Sequence, residues 1–130
     1  MYKLAIVDDE AIMRKGLRNL IDWAHFDCQI VCEASDGQEL LDLFASVQPD
    51  IVITDIKMPR MDGLELCRRL RRELPAAKLV VFSGFDEFFG HNVLSGGDGC
   101  IAGLSNFAPE VAAGYAQRAR QDDLPGMAQY

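Results

Sequence analysis

Ile51-Val52-Ile53-Thr54-Asp55 places three branched aliphatic residues in a row and ends on a carboxylate. Pro49 stands before it and Pro59 after it, so a helix reaching the run from either side stops short of it. Consecutive apolar positions suit a strand covered on both faces, the arrangement of a parallel sheet between two helical layers. Working outward, Lys3–Val7 is a similar run closed by Asp8-Asp9-Glu10, and Cys28–Ala34 and Lys78–Phe82 are two more. A weaker fifth, Gly99–Leu104, carries two glycines, which lower its strand propensity.

Helical patterns fill the gaps. Ile12, Met13, Leu17, Leu20 and Ile21 recur at helical spacing, as do Leu40, Leu41, Phe44 and Val47, and then Leu66, Leu70 and Leu74. Ser35 or Asp36, with Gln38 or Glu39 three residues on, predicts a capped helix start. Asp62-Gly63 opens the next helix, Asp86 can cap another that carries Phe89 and Val93, and Pro109 suits the first turn of a last one reaching about Arg120. Five strand–helix units with right-handed crossovers predict an α/β fold: a five-stranded parallel, doubly wound sheet in a three-layer (βα)5 sandwich, since five units cannot close a barrel of eight.

The 130 residues are the length of a single domain. Thirteen basic against twenty acidic residues give a net charge of −7, which argues against a nucleic-acid surface. No apolar run approaches the roughly 20 residues of a membrane span, and no leader pattern opens the chain. The cysteines Cys28, Cys32, Cys67 and Cys100 lack metal-type spacing. They read as free thiols in a reducing cytosol, with Cys28 and Cys32 on one strand face. His25 and His91 have no ligand spacing, no dinucleotide-binding glycine run follows a strand, and the basic run Arg68, Arg69, Arg71 and Arg72 reads as a solvated helix face.

In such a sheet, ligands gather beyond the carboxyl ends of the strands. Asp8 and Asp9 fall there after the first strand and Asp55 at the end of the third. One aspartate after a strand is ordinarily a turn or helix cap. Two adjacent ones and a third on a partner strand suit a hard divalent cation such as magnesium, which accepts a few carboxylates and keeps several waters.

Three stretches carry a resemblance: Ile6-Val-Asp-Asp-Glu10, Ile53-Thr-Asp-Ile-Lys-Met-Pro-Arg-Met-Asp-Gly63 and Val81-Phe-Ser-Gly-Phe-Asp-Glu87. Together, over residues 1 to about 89, they resemble the response-regulator receiver domain of the subtype found ahead of AraC-type DNA-binding regions. The resemblance implies a flavodoxin-like sheet with Asp55 as phosphoacceptor. It also implies Mg2+ held by Asp8, Asp9, Asp55 and the Lys57 carbonyl, Ser83 contacting the phosphoryl group, and a sensor histidine kinase as partner. No enzyme is expected beyond that acceptor chemistry, the free thiols imply a cytoplasmic setting, and the chain is expected to be a monomer or weak dimer.

The same resemblance expects a lysine at the end of the fifth strand and an aromatic residue three positions before it. Gly103 and Cys100 stand there, and Lys78 is the last lysine in the chain. Residues 83–130, with Leu94-Ser-Gly-Gly-Asp-Gly-Cys-Ile-Ala-Gly-Leu104 and then Pro109-Glu110, resemble instead the last units of dihydrodipicolinate synthase and N-acetylneuraminate lyase type barrel aldolases. The expectation is therefore one domain over 1–130, with a receiver-like part (1–83) and an aldolase-barrel-like part (84–130) joined near residues 83–90. That would be an engineered chimera without selected activity; the alternative is a working phosphoacceptor domain of a two-component system.

Overall fold

The computed structural model describes residues 1–73, 78–82, 94–101 and 109–121. Strand β1 (Tyr2–Val7) leads through helix α1 (Ala11–Leu20) and a 3-10 turn (Trp23–Phe26) to β2 (Cys28–Ala34). Helix α2 (Gly37–Val47), β3 (Ile51–Asp55), α3 (Gly63–Glu73), β4 (Lys78–Phe82), β5 (Gly99–Ile101) and α4 (Pro109–Arg120) follow. All strand pairs are parallel, and the sheet order is β2-β1-β3-β4-β5. That is the flavodoxin-like doubly wound order, with its switch point between β1 and β3. The weak fifth run does form a strand, paired with β4 from Val80↔Gly99 to Phe82↔Ile101. The helix expected after Asp86, and Ser83 and Gly103, lie outside the described residues.

The two sheet faces are filled unequally. Ala5, Val7, Cys32, Ala34 and Val52 meet Leu40 and Phe44 of α2 and Leu66, Cys67 and Leu70 of α3 in the larger core. On the other face Leu4, Ile6 and Ile53 are buried beneath Leu17 and Trp23. Helix α1 contributes less than its spacing predicts. Leu17 packs on the sheet, while Ile12 and Leu20 are 75% and 87% exposed. Residues 12, 16 and 20 form a stripe of their own, turned from the 13–17–21 stripe.

A bulge alters β2. The register steps from Leu4↔Ile30 to Ala5↔Cys32, skipping Val31. Ile30 accordingly packs with the smaller cluster and Cys32 with the larger one. An extra residue inverts the alternation, so Cys28, which shares the parity of Ile30, does not share a face with Cys32 as the simple period requires. Cys28, Cys32 and Cys67 are free thiols, the last two buried, and burial pushes the Cys67 thiol up to about 12.

Helix α2 starts as its sequence predicts. Asp36 is the N-cap and accepts the Glu39 N–H at 3.0 Å. Glu39 reaches back to the N–H and hydroxyl of Ser35 at 2.7 and 2.6 Å. Two orphan donors are thereby satisfied reciprocally, one residue earlier than in the usual box. Asp62 accepts the Glu65 N–H at 2.8 Å and caps α3. The arginine run on α3 is more than a solvated face. Arg68 and Arg69 pair with Glu65, whereas Arg71 binds the Gly96 carbonyl and Asp98, tying α3 to the segment that enters β5.

Candidate functional site

The register brings Asp8 and Asp55 to one rim of the sheet, and Asp9 follows Asp8 in sequence. Val7 of β1 lies opposite Thr54 of β3, so Asp8, directly after β1, and Asp55, the last residue of β3, stand at the same level on adjacent strands. This is the switch point where doubly wound sheets bind ligands. Asp8 is buried, Asp55 half-buried and Asp9 exposed. One oxygen of Asp8 accepts the Glu10 N–H at 2.8 Å, so the turn-cap reading holds for that oxygen.

Burial comes first in the electrostatics of the site, and the neighbouring charges add to it. Burial pushes the Asp8 carboxyl above its usual range; the Glu10 N–H opposes this, and the charge of Asp9 adds to it. Asp55 is raised for the same first cause, burial. The N–H groups of Ile56 and Lys57 pull it down, while the charges of Asp8 and Asp9 push it up. An acid whose folded value exceeds its unfolded value favours the fold only where it is protonated. Stability therefore falls as pH rises from the ordinary aspartate range through the raised values of Asp8 and Asp55, and the deficit persists at neutral pH. A cation between them would remove that deficit.

The donors are all hard oxygens, which suits magnesium rather than a soft metal. Among the described residues no three His, Cys, Asp or Glu side chains stand together as an all-protein metal cage. Magnesium does not require one, being bound through one or two carboxylates and several waters. The residues present fit a water-rich site of that kind.

The loop between β3 and α3 is built tightly. Ile56 accepts the Gly63 N–H at 2.8 Å, and Met61 accepts the Gly37 N–H at 3.3 Å. A Cβ on Gly63 would lie 2.0 Å from the Asp55 carbonyl oxygen, so only glycine lets α3 start against the end of β3. Arg60, at φ +60°, donates from Nε to Asp36 at 2.7 Å. This link joins residues 24 apart in sequence and has no local signature, so sequence reasoning missed it. The Asp62-Gly63 pair was the visible signal for the tight start of α3. Lys57 is exposed on the same loop.

Comparison with known proteins gives one family. The response regulator receiver domain profile matches residues 4–102. An uncharacterized transcriptional regulatory protein, YesN of Bacillus subtilis, is 41% identical over 88 residues, covering 68% of this chain and 24% of YesN. The transcriptional regulatory protein HptR of Staphylococcus aureus is 39% identical over 88 residues, 68% of this chain and 34% of its own. The chain thus spans about a quarter to a third of these relatives' length. Among solved structures, the REC domain of AraT, a response regulator from Geobacillus stearothermophilus, is 35% identical with a TM-score of 0.71, covering 93% of this chain and 97% of that one.

Two expectations change. The profile runs through residues 83–90, the expected join, and on to residue 102, so these findings favour the receiver reading over a fusion without activity. The acidic balance of a segment this short also leaves nucleic acid open as a target of a longer protein, and both curated relatives are named as transcriptional regulators. No helix among the described residues is long and apolar enough to cross a membrane. With its parallel 2-1-3-4-5 sheet, its aspartates at the β1/β3 switch point and its match over residues 4–102, the chain belongs to the response regulator receiver domain family.

Proposed function

We propose that the chain is the phosphoacceptor unit of a two-component response regulator, acting in the cytoplasm with a sensor histidine kinase as donor. The observation that carries this reading is the placement of Asp8 and Asp55 at the same level on adjacent parallel strands, where the charges of Asp8 and Asp9 add to burial in raising Asp55. Asp8 and Asp9, with Asp55 and the Lys57 carbonyl, would hold Mg2+, which when bound neutralises charge between the carboxylates and an incoming phosphoryl group. A carboxylate oxygen of Asp55 attacks phosphorus in line, the phosphorus–nitrogen bond of a phosphohistidine breaks as the oxygen–phosphorus bond forms, and the electron pair leaves with the imidazole nitrogen. Such transfer is chiefly positioning and charge stabilisation. The N–H groups of Ile56 and Lys57 favour the charged Asp55 carboxylate, the form that attacks.

The acceptor chemistry resides on β1, β3 and the loop after β3. Ser83 would donate its hydroxyl hydrogen to the attached phosphoryl group. With no lysine after Lys78, that group lacks its usual ammonium partner, and charge-assisted contacts contribute roughly 1.5–3 kcal/mol. Phosphorylation therefore takes place with little force to bias the fold. We read residues 1–130 as one unit in which the segment after residue 83 completes the sheet, whatever its parentage.

Incubation with Mg2+ and a small-molecule phosphodonor, followed by intact mass measurement, tests the reading. The chain gains one phosphoryl group, and Asp55→Asn gains none. No gain in the unmodified chain, or an equal gain in Asp55→Asn, contradicts it.

A further inference from the structure

The loop that touches Asp55 is held from a distance by a charged pair. Asp36, buried to 2% exposure, uses one carboxylate oxygen to cap α2 through the Glu39 N–H and the other to bind Arg60. Both Nε and Nη2 of Arg60 reach that second oxygen, at 2.7 and 2.5 Å. Arg60 is a non-glycine residue in the left-handed region, φ +60°. An arginine persists there only when its surroundings over-determine it, and the Asp36 contact restrains that side chain. Between Arg60 and Asp55 lie four residues, two of which, Ile56 and Lys57, direct their N–H groups to the Asp55 carboxylate.

Resting on the phosphoacceptor reading, we propose that the Asp36–Arg60 pair is a positioning latch: it fixes the β3–α3 loop and thereby sets how tightly the acidic pocket holds a divalent cation. Neither residue touches the cation. The pair acts through the loop backbone, which carries the Lys57 carbonyl and the N–H groups of Ile56 and Lys57 that bond Asp55. Support shells of this kind govern metal affinity by orienting the groups that bind. Gly37 is part of the same seat, since a Cβ there would lie 2.9 Å from Cγ of Met61, next along the loop from Arg60.

Arg60→Asn tests the latch with little disturbance to the backbone, because asparagine tolerates the left-handed region and its short side chain cannot reach Asp36. Asp36→Ser removes the same pair from the other side while keeping a good helix cap. Each variant should bind Mg2+ roughly three- to tenfold more weakly by calorimetric titration, the double variant no more weakly than either alone, with amide exchange at Lys57 and Met58 accelerated in all three. Arg60→Lys, which keeps the charge but not the fork, should restore part of the affinity. Unchanged affinity and unchanged exchange in both single variants overturn the latch, as does additive weakening in the double variant. If the unmodified chain binds no Mg2+, the receiver reading and the latch fall together; if it binds and the variants match it, the latch falls alone.

Discussion

Gly63→Ala is expected to slow phosphorylation of Asp55 by about a hundredfold or more while every carboxylate stays in the chain. The added Cβ would stand 2.0 Å from the Asp55 carbonyl oxygen, 2.9 Å from its carbon and 3.1 Å from Cα of Ile56. All three are backbone atoms at the junction of strand and loop, so no side-chain rotation can relieve the overlap. Either α3 withdraws from the sheet or the end of β3 moves. The overpacking costs roughly 1–3 kcal/mol, a fraction of the stability of a small domain. The functional cost is larger, because a displacement of about 1 Å at the reacting group is enough for a hundredfold loss. Single-turnover labelling from a small phosphodonor with Mg2+ reads this directly. Labelling of Gly63→Ala at the rate of the unmodified chain would mean that the strand end tolerates movement and that the site is less ordered than described.

Leu66→Ala gives the largest change in stability. Leu66 is fully buried in the first turns of α3, within the cluster that joins α2 and α3 to β1 and β3. Its Cβ lies 3.2 Å from where a Cβ on Gly37 would stand, so the neighbouring helix start already sits close and cannot collapse far into a void. The lost transfer energy and the unfilled cavity together cost about 2–5 kcal/mol, against a total of about 5–15 kcal/mol for a domain. Urea unfolding should show the midpoint falling with the slope unchanged. A loss below about 1 kcal/mol would place Leu66 outside the core or show that the site repacks.

Much of this architecture is legible before any coordinates, and for identifiable reasons. The parallel strands are runs such as Ile51–Ile53 and Lys78–Phe82 whose apolar character needs cover on both faces, and they form where their composition places them. The capped starts of α2 and α3 are equally local: Asp36 with Glu39 and Asp62 with Glu65 bond within three residues. Asp8 and Asp55 reach one rim because parallel strands all deliver their carboxyl ends there.

What escapes the sequence is not local. The skipped Val31 opposite the Leu4–Ala5 step leaves no mark in composition, yet it turns Cys32 to the other face. Ile12 and Leu20 fit a helical period but not the stripe that the sheet covers. The Arg60–Asp36 bond and the tie from Arg71 to Asp98 join positions 24 and 27 residues apart, and only the packed fold brings them together.

The claim on which the rest stands is that Asp55 shares its electrostatic environment with Asp8 at the rim of the sheet. Carbon-detected NMR titration of the Asp55 carboxyl in the unmodified chain and in Asp8→Asn measures it. Asp55 should titrate above the ordinary aspartate range and move down toward it when Asp8 is neutralised. An Asp55 that titrates at the ordinary value, or is indifferent to the replacement, would contradict the account.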